Sequence, residues 1–520
     1  MIRSRRNIGL VCLIAVAAGW LVLVGILASR FSLPSSDGIL YALPLVSARH
    51  PFDLGIPFLD GFRDYGTIWG HHWPGAMWIR GALFSVLPFS RDADVIVLSL
   101  FQCLSATAAA AAVRACTGKL WIAAAVWMLL LSDRLLLLAC SGNRFESVAV
   151  AAVVCWFSLA FAQSRTLPPL GKWGARIAAF LSPTLHPYAL AIGAMIAAYD
   201  LLDCRRQSLP ARESFIRLGC FLLGGAATVS WFAFQPAALA QFAANAALQN
   251  TFYQNWNTVI LGLQNYRLGG GLLLWSSALI AGAALAGGWV RLPCTQARSN
   301  AFRFLAPALL VAVIAIHTLI RCENFTYLAF GTPFAAILLA LFVNGLGMKE
   351  STVIPMARKP LRLLPVTWFA PVFLAHAAIL PFRALQFYRA GCPDLKAEIS
   401  SFLGTLPQDA SVYIPHLMWP AAGEAKDRKI RWFTLPLASP AGVRAEYEEI
   451  TYSRARPGDI LVIDNLAAAG GDRFGLHPTF PVLPPDSTRW VPVRTKTLMM
   501  PGSVPWGLDL TAYRFIGSDR

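Results

Sequence analysis

Runs of about 20 apolar residues recur along this chain, from Ile8–Ala28 to a last one that ends near Leu380. A run of that length crosses the hydrocarbon layer of a bilayer as a single helix. Composition agrees: 56% of the 520 residues are hydrophobic and 14% are charged, with a mean hydropathy of +0.55, too apolar for a soluble domain of this length. The expected fold class is a polytopic α-helical membrane protein.

Hydropathy places about eleven spans, near 8–29, 94–115, 119–132, 146–164, 174–184, 187–201, 214–234, 269–290, 302–320, 325–346 and 362–381. With the N-terminus in the cytoplasm, the inner segments hold 19 of the 28 basic residues before position 383. Cytoplasmic loops carry such an excess, so the net charge of +17 reports topology rather than nucleic-acid binding. Segments 30–93, 133–145, 235–268 and 321–324, and everything after 382, then face outward. Met1–Arg6 with Ile8–Ala28 looks like a secretory leader, but the long apolar run and the spans that follow favour a retained anchor. Residues 74–89 contain Arg80 and are short for a span, which suggests a helix lying on the outer leaflet. Residues 172–201 hold Pro183 and Pro187 and are expected to form a tight hairpin whose tip, SPTLHPY, faces outward.

Beyond Phe382 the character changes. Fourteen acidic and 16 basic residues accompany short alternating runs such as 411–415 and 459–464, with helix-like stretches at 394–403 and 444–452. Two domains are therefore expected: a membrane domain over 1–381 and an outer soluble α/β domain over 382–520. The tail has no phosphate-binding glycine loop or nucleophile elbow, so a lid or acceptor platform is its simplest role. The ten cysteines lie mostly inside apolar runs without metal-ligand spacing, as small buried hydrophobes do.

Acidic residues are the scarce resource of the membrane domain. Of 13 in the first 382 positions, six (Asp37, Asp53, Asp60, Asp64, Asp92 and Asp94) fall in the first outer segment and the start of the next helix. A carboxylate beside a bilayer costs several kcal/mol unless solvated or paired, so such residues tend to be functional. Four motifs face the same side: Ser36-Asp37-Gly38-Ile39-Leu40-Tyr41; Tyr65 to Gly75, with His71-His72-Trp73-Pro74; Gly142-Asn143-Arg144-Phe145-Glu146; and Arg321-Cys322-Glu323-Asn324-Phe325-Thr326-Tyr327 with Pro333.

In this order they resemble the GT-C superfamily of polyprenyl-phosphate-sugar-dependent glycosyltransferases, especially bacterial relatives of the protein O-mannosyltransferases and of the lipid A aminoarabinose transferases. The resemblance covers residues 1–381 as architecture, through short motifs. It departs from the family in one proline rather than two after His72, and in Glu146 where aspartate is commoner. It implies an enzyme of the bacterial cytoplasmic membrane that moves a sugar from a polyprenyl-phosphate donor to a lipid, glycan or protein acceptor on the outer face. It leaves a divalent metal open as cofactor, and nucleic acid has no part in it. Asp37 is the implied base and Glu146 a second catalytic acid. Tyr41, Asp64, His71, His72, Arg144, His186, Arg321 and Tyr327 are the implied substrate-binding residues. The chemistry suits them, since an acceptor hydroxyl must lose a proton and a phosphate must leave beside fixed positive charge.

Each residue also has a plainer role. Asp37 could end the first helix in water, Glu146 could favour a helix N-terminus, and Arg321 could pair with Glu323. His71 and His72 could pack at the interface, His186 could cap its turn, and Asp133 could pair locally with Arg134. Two other functions stay open: a flippase or secondary transporter, which predicts inverted repeats and charge pairs at mid-bilayer, and a sensor or assembly protein working through its outer domain.

Overall fold

The computed structural model describes residues 15–27, 68–70, 72–162, 169–206, 211–252, 271–290, 300–320, 325–346, 394–415, 418, 430–433, 455–465, 488–500 and 506–517, with scattered positions in 41–45 and 371–389. Among them the membrane portion is helical: α1 (Ala15–Leu27), α2 (Gly75–Phe84), α3 (Arg91–Thr117), α4 (Leu120–Ser132), α5 (Arg134–Ser141), α6 (Glu146–Phe161), α7 (Pro169–Leu185), α8 (Pro187–Arg206), α9 (Arg212–Phe234), α10 (Pro236–Phe252), α11 (Gly271–Ala286), α12 (Ala306–Leu319) and α13 (Thr332–Leu346). Four are long and apolar enough to cross a membrane: α3, α8, α9, and α12 with the π-helical turn Ala301–Leu305 before it. Helices α4 and α5 make a fifth if read as one span bent by 48°. Exposed Ile96, Leu100 and Leu104 on α3 and Phe215, Leu222 and Val229 on α9 suit a lipid-facing surface.

Local sequence explains where these helices start, stop and bend. Ser90 caps α3 by accepting from Ala93 N–H, and Gly118 closes it at φ 67°, donating to Arg114 O. The break after α4 is made by Asp133, whose Oδ1 accepts from the N–H groups of Leu135 and Leu136 and so starts α5. Gln102 on α3 donates to Leu130 O at 3.0 Å, a carbonyl left over by that break. On its other side Asp133 faces His376, whose Nε2 lies 3.5 Å from Asp133 Oδ2. Asp133 is fully buried, where a helix end needs an acceptor.

The tight hairpin at 172–201 is observed. Arg176 meets Glu213 and Thr228 meets Pro183 O, so α7 runs parallel to α9. Asp200 pairs with Arg217, and Cys204 with Ser214, so α8 runs antiparallel to α9 and returns along α7. Only His186 separates the two helices. Pro187 has no N–H for the carbonyl of Pro183, and the Thr228 hydroxyl donates to it instead, at 3.3 Å. Residues 325–330, expected to open a span, form a 3-10 turn instead, and α13 begins only at Thr332. Gly331 lies between them because a Cβ there would come within 2.3 Å of the Trp275 ring. Segments 133–145 and 235–268, expected to be outer loops, contain among their described residues α5 and α10.

The sequence after 382 contains helix α14 (Leu395–Gly404) and strands β1 (Val412–Pro415), β2 (Ile430–Phe433), β3 (Ile460–Asp464), β4 (Trp490–Met500) and β5 (Trp506–Phe515). They form one mixed sheet in the order β2-β1-β3-β5-β4, with β1 parallel to β2 and β3, and β5 antiparallel to β3 and β4. Alternation divides its core: Val412, Ile414, Ile460 and Val462 pack with Ile399 and Phe402 of α14, while Tyr413, Leu461 and Ile463 pack with Trp490 and Phe515.

Candidate functional site

Glu146 opens α6, and its carboxylate is held from one side. Arg144 Nε and a terminal guanidinium nitrogen both donate to Oε1, at 2.8 and 2.5 Å. Both side chains are fully buried, and Oε2 has no hydrogen-bond partner. The guanidinium carbon of Arg144 lies 5.9 Å from the centre of the Tyr41 ring and 6.0 Å from that of Tyr327, so the charge is bracketed by two aromatic faces.

The turn before Arg144 sets its direction. Asn143 adopts φ 57°, the left-handed conformation that commonly ends a helix, and is the sole non-glycine residue at positive φ among those described. Arg144 N–H donates to Ala139 O and Asn143 N–H to Cys140 O, the two bonds of a Schellman closure of α5. Arg144 therefore leaves the helix along a defined path.

Aromatic rings from five separate segments enclose this pair. Tyr41 meets Phe145 edge-on at 4.5 Å and Trp69 at 6.0 Å. His72 meets Phe145 at 4.7 Å and stacks on His186 at 4.9 Å with 26° between the planes. His186 in turn touches Tyr327 at 4.8 Å and Phe330 at 5.0 Å, and Tyr188 stacks on Phe330 at 5.6 Å. The segment carrying His72 is anchored from α10: Gln241 Nε2 donates to Ile68 O, and its Oε1 accepts from Gly70 N–H. Gly70 is required there, because a Cβ would lie 2.3 Å from the Ala238 backbone.

Both imidazoles accept a backbone N–H at Nδ1, His72 from Trp73 at 2.9 Å and His186 from Tyr188 at 3.1 Å. Each ring then carries its proton on Nε2, a tautomer inferred from the hydrogen bonds. For His186, at the turn between α7 and α8, burial above all, then His72 and Arg144, hold the pKa well below 6.5. It offers one N–H donor, at an Nε2 without a partner, and no positive charge. His186, expected among the substrate-binding residues, thus presents a neutral donor.

Six of the sequence-derived candidates thus converge: Tyr41, His72, Arg144, Glu146, His186 and Tyr327. Asp37, Asp64, His71 and Arg321 lie outside the described residues. Among the described residues no group of three His, Cys, Asp or Glu side chains could hold a metal. Phe145, Tyr188 and Phe330 complete the aromatic walls and were not anticipated, because aromatic residues in apolar helices carry no signal that separates a wall from a core. Asp94, counted with the acidic cluster, is instead paired with Arg80 inside the protein. This pair also explains how the short helix at 74–89 accommodates Arg80.

No family model and no curated protein matches the sequence. Among solved structures, ArnT from Cupriavidus metallidurans bound to undecaprenyl phosphate aligns at a TM-score of 0.53 with 12% identity, over 97% of each chain. The apo state of that protein aligns at 0.52 with 12% identity, over 98% of each chain. The arabinofuranosyltransferase AftD from Mycobacteria aligns at 0.44 with 13% identity, over 98% of this chain and 42% of that one, and adds no argument. At 12% identity the likeness is one of fold: the chain has the fold of ArnT.

Proposed function

We propose that this GT-C-fold protein is a membrane glycosyltransferase that moves a sugar from a polyprenyl-phosphate carrier to a hydroxyl of an envelope lipid, glycan or protein. The observation that carries the proposal is the convergence of Tyr41, His72, Arg144, Glu146, His186 and Tyr327 from segments far apart in sequence into one buried cluster. The likeness to a protein crystallised with undecaprenyl phosphate supports the choice of carrier.

In this reading the acceptor oxygen attacks the anomeric carbon, the bond from that carbon to the carrier phosphate breaks, and the acceptor proton passes to a carboxylate. Asp37 is the proposed base. Glu146, with Oε1 held by Arg144 and Oε2 without a partner, supplies a second carboxylate positioned to accept a hydrogen bond. Arg144 and Arg321 are the proposed partners of the leaving phosphate, whose developing charge fixed cations stabilise. The neutral Nε2–H of His186 and the rings of Tyr41, His72 and Tyr327 would orient donor groups without adding charge; Asp64 and His71 complete the proposed set. The proposal places this chemistry on the outer face of the bacterial cytoplasmic membrane, with eleven spans over 1–381 and an outer domain over 382–520.

The test is transfer in proteoliposomes from polyprenyl-phosphate sugars to envelope extracts, read by mass spectrometry. Glu146→Gln is expected to lower kcat at least about 100-fold, the scale of a lost acid–base group. Full activity in that variant would remove Glu146 from the mechanism, and no product from any donor would remove the function.

A further inference from the structure

Asn143 uses both ends of its side chain. Nδ2 donates to Asp94 Oδ2 at 2.8 Å, and Oδ1 accepts from Arg91 Nε at 3.1 Å. Arg91 also donates to Ser141 O at 3.0 Å, so the first turn of α3 grips both the side chain and the backbone of the turn that delivers Arg144 and Glu146. Asp94 is itself fixed by Arg80 of α2, which donates from Nε to Oδ1 at 2.8 Å and from a terminal nitrogen to Oδ2. Helix α2 begins three residues after His72. One buried network therefore ties the His72 arm, through α2 and α3, to the Arg144–Glu146 arm, and the Asn143 amide is one of its links.

A helix-ending role alone does not account for this. Glycine is the usual residue at that left-handed position and would close α5 equally well. What asparagine adds is a planar amide that donates to a carboxylate and accepts from a guanidinium at once. We propose that Asn143 is a positioning residue: its amide locks the turn 141–143 to α3, so that Glu146 and Arg144 keep their place against the His72–Phe145 wall. The proposal rests on the glycosyltransferase reading for its kinetic consequence, but not for its structural one.

Asn143→Gly preserves the left-handed backbone and deletes the amide. In the full chain it is expected to lower kcat about tenfold, in line with the sensitivity of rates to small misplacements, and to lower the melting temperature by a few degrees through the hydrogen bonds that Asp94 and Arg91 lose. Because Asn143 acts through Glu146 and Arg144 together, the double variant with Glu146→Gln should lose less than the product of the two single defects. Amide exchange across 139–150 should accelerate in Asn143→Gly and remain unchanged elsewhere. Should that variant not fold, Arg91→Met, which withdraws the donor to Asn143 Oδ1, should show the same pattern. Wild-type turnover, a defect that multiplies with that of Glu146→Gln, or unchanged exchange in this turn would overturn the proposal. Absence of transfer by the wild-type chain would count against the glycosyltransferase reading alone, and the exchange measurement would still decide whether Asn143 holds the turn.

Discussion

His72 and His186 stack with ring centroids 4.9 Å apart, although 114 residues separate them, and both accept a backbone N–H at Nδ1. A ring nitrogen that accepts a hydrogen bond carries no proton, and two imidazolium rings at this distance would repel in a medium that screens poorly. In this arrangement the pair closes the aromatic wall beside Arg144.

The His186 ring should contribute to function through its single donor. His186→Ala is expected to lower kcat/KM about tenfold, the scale of one lost hydrogen bond in a buried site, and His186→Asn, which retains an N–H donor, should recover part of it. A pH effect on stability accompanies this. The folded ring is held below 6.5, so the unfolded chain binds the proton more readily and stability falls as pH drops through and below that value. His186→Asn should flatten that acid-side decline in thermal melts, and an unchanged slope would show that the ring is not the group responsible.

The Arg80–Asp94 pair makes a sharper stability prediction. Both side chains are fully buried, so Asp94→Ala leaves a guanidinium without its carboxylate, at a cost of about 3 to 5 kcal/mol. Replacing both together, Arg80→Leu with Asp94→Leu, should restore most of that stability, because an apolar pair avoids desolvating two charges. Thermal melts of detergent-solubilised protein would check both. A double variant as unstable as the single one would mean that the network, rather than the charge pair, holds α2 on α3.

Topology can be tested without any substrate. Arg205 and Lys359 are expected to face the cytoplasm, and Asp60 and Asp459 the outside, by the distribution of basic residues. Single cysteines at these positions, in an otherwise cysteine-free chain, should react with an impermeant maleimide on intact cells only at 60 and 459. Labelling at 359 without labelling at 459 would invert the assignment.

The helices were readable from sequence because burial in lipid writes itself into composition: α3, α8, α9 and α12 each fall on an expected span, within a few residues. Their interruptions were partly readable too. Pro183 and Pro187 marked the hairpin tip at His186, since proline removes a backbone donor wherever it stands. The cap that Asp133 makes was not legible, because a carboxylate next to an arginine looks the same in sequence whether it pairs with its neighbour or caps a buried helix end. Phe325–Phe330 was misread because its apolarity fits a span, and only the approach of Gly331 to Trp275 shows where the helix begins.

Sequence by itself determined what must leave water and what must not: the apolar runs, the basic residues between them, and a small set of acids, histidines and tyrosines held in segments between spans. It also determined that Arg144 and Glu146 would be neighbours, being two residues apart at a helix start. Tertiary structure alone decided that Tyr41, His72, His186 and Tyr327 meet around that pair, and that Asp94 serves Arg80 and Asn143 instead of joining them. The physical reason is that these contacts span tens to hundreds of residues and depend on helix registry. Registry is set by close packing, such as Gly70 on Ala238 and Gly331 on Trp275, and local composition does not encode it.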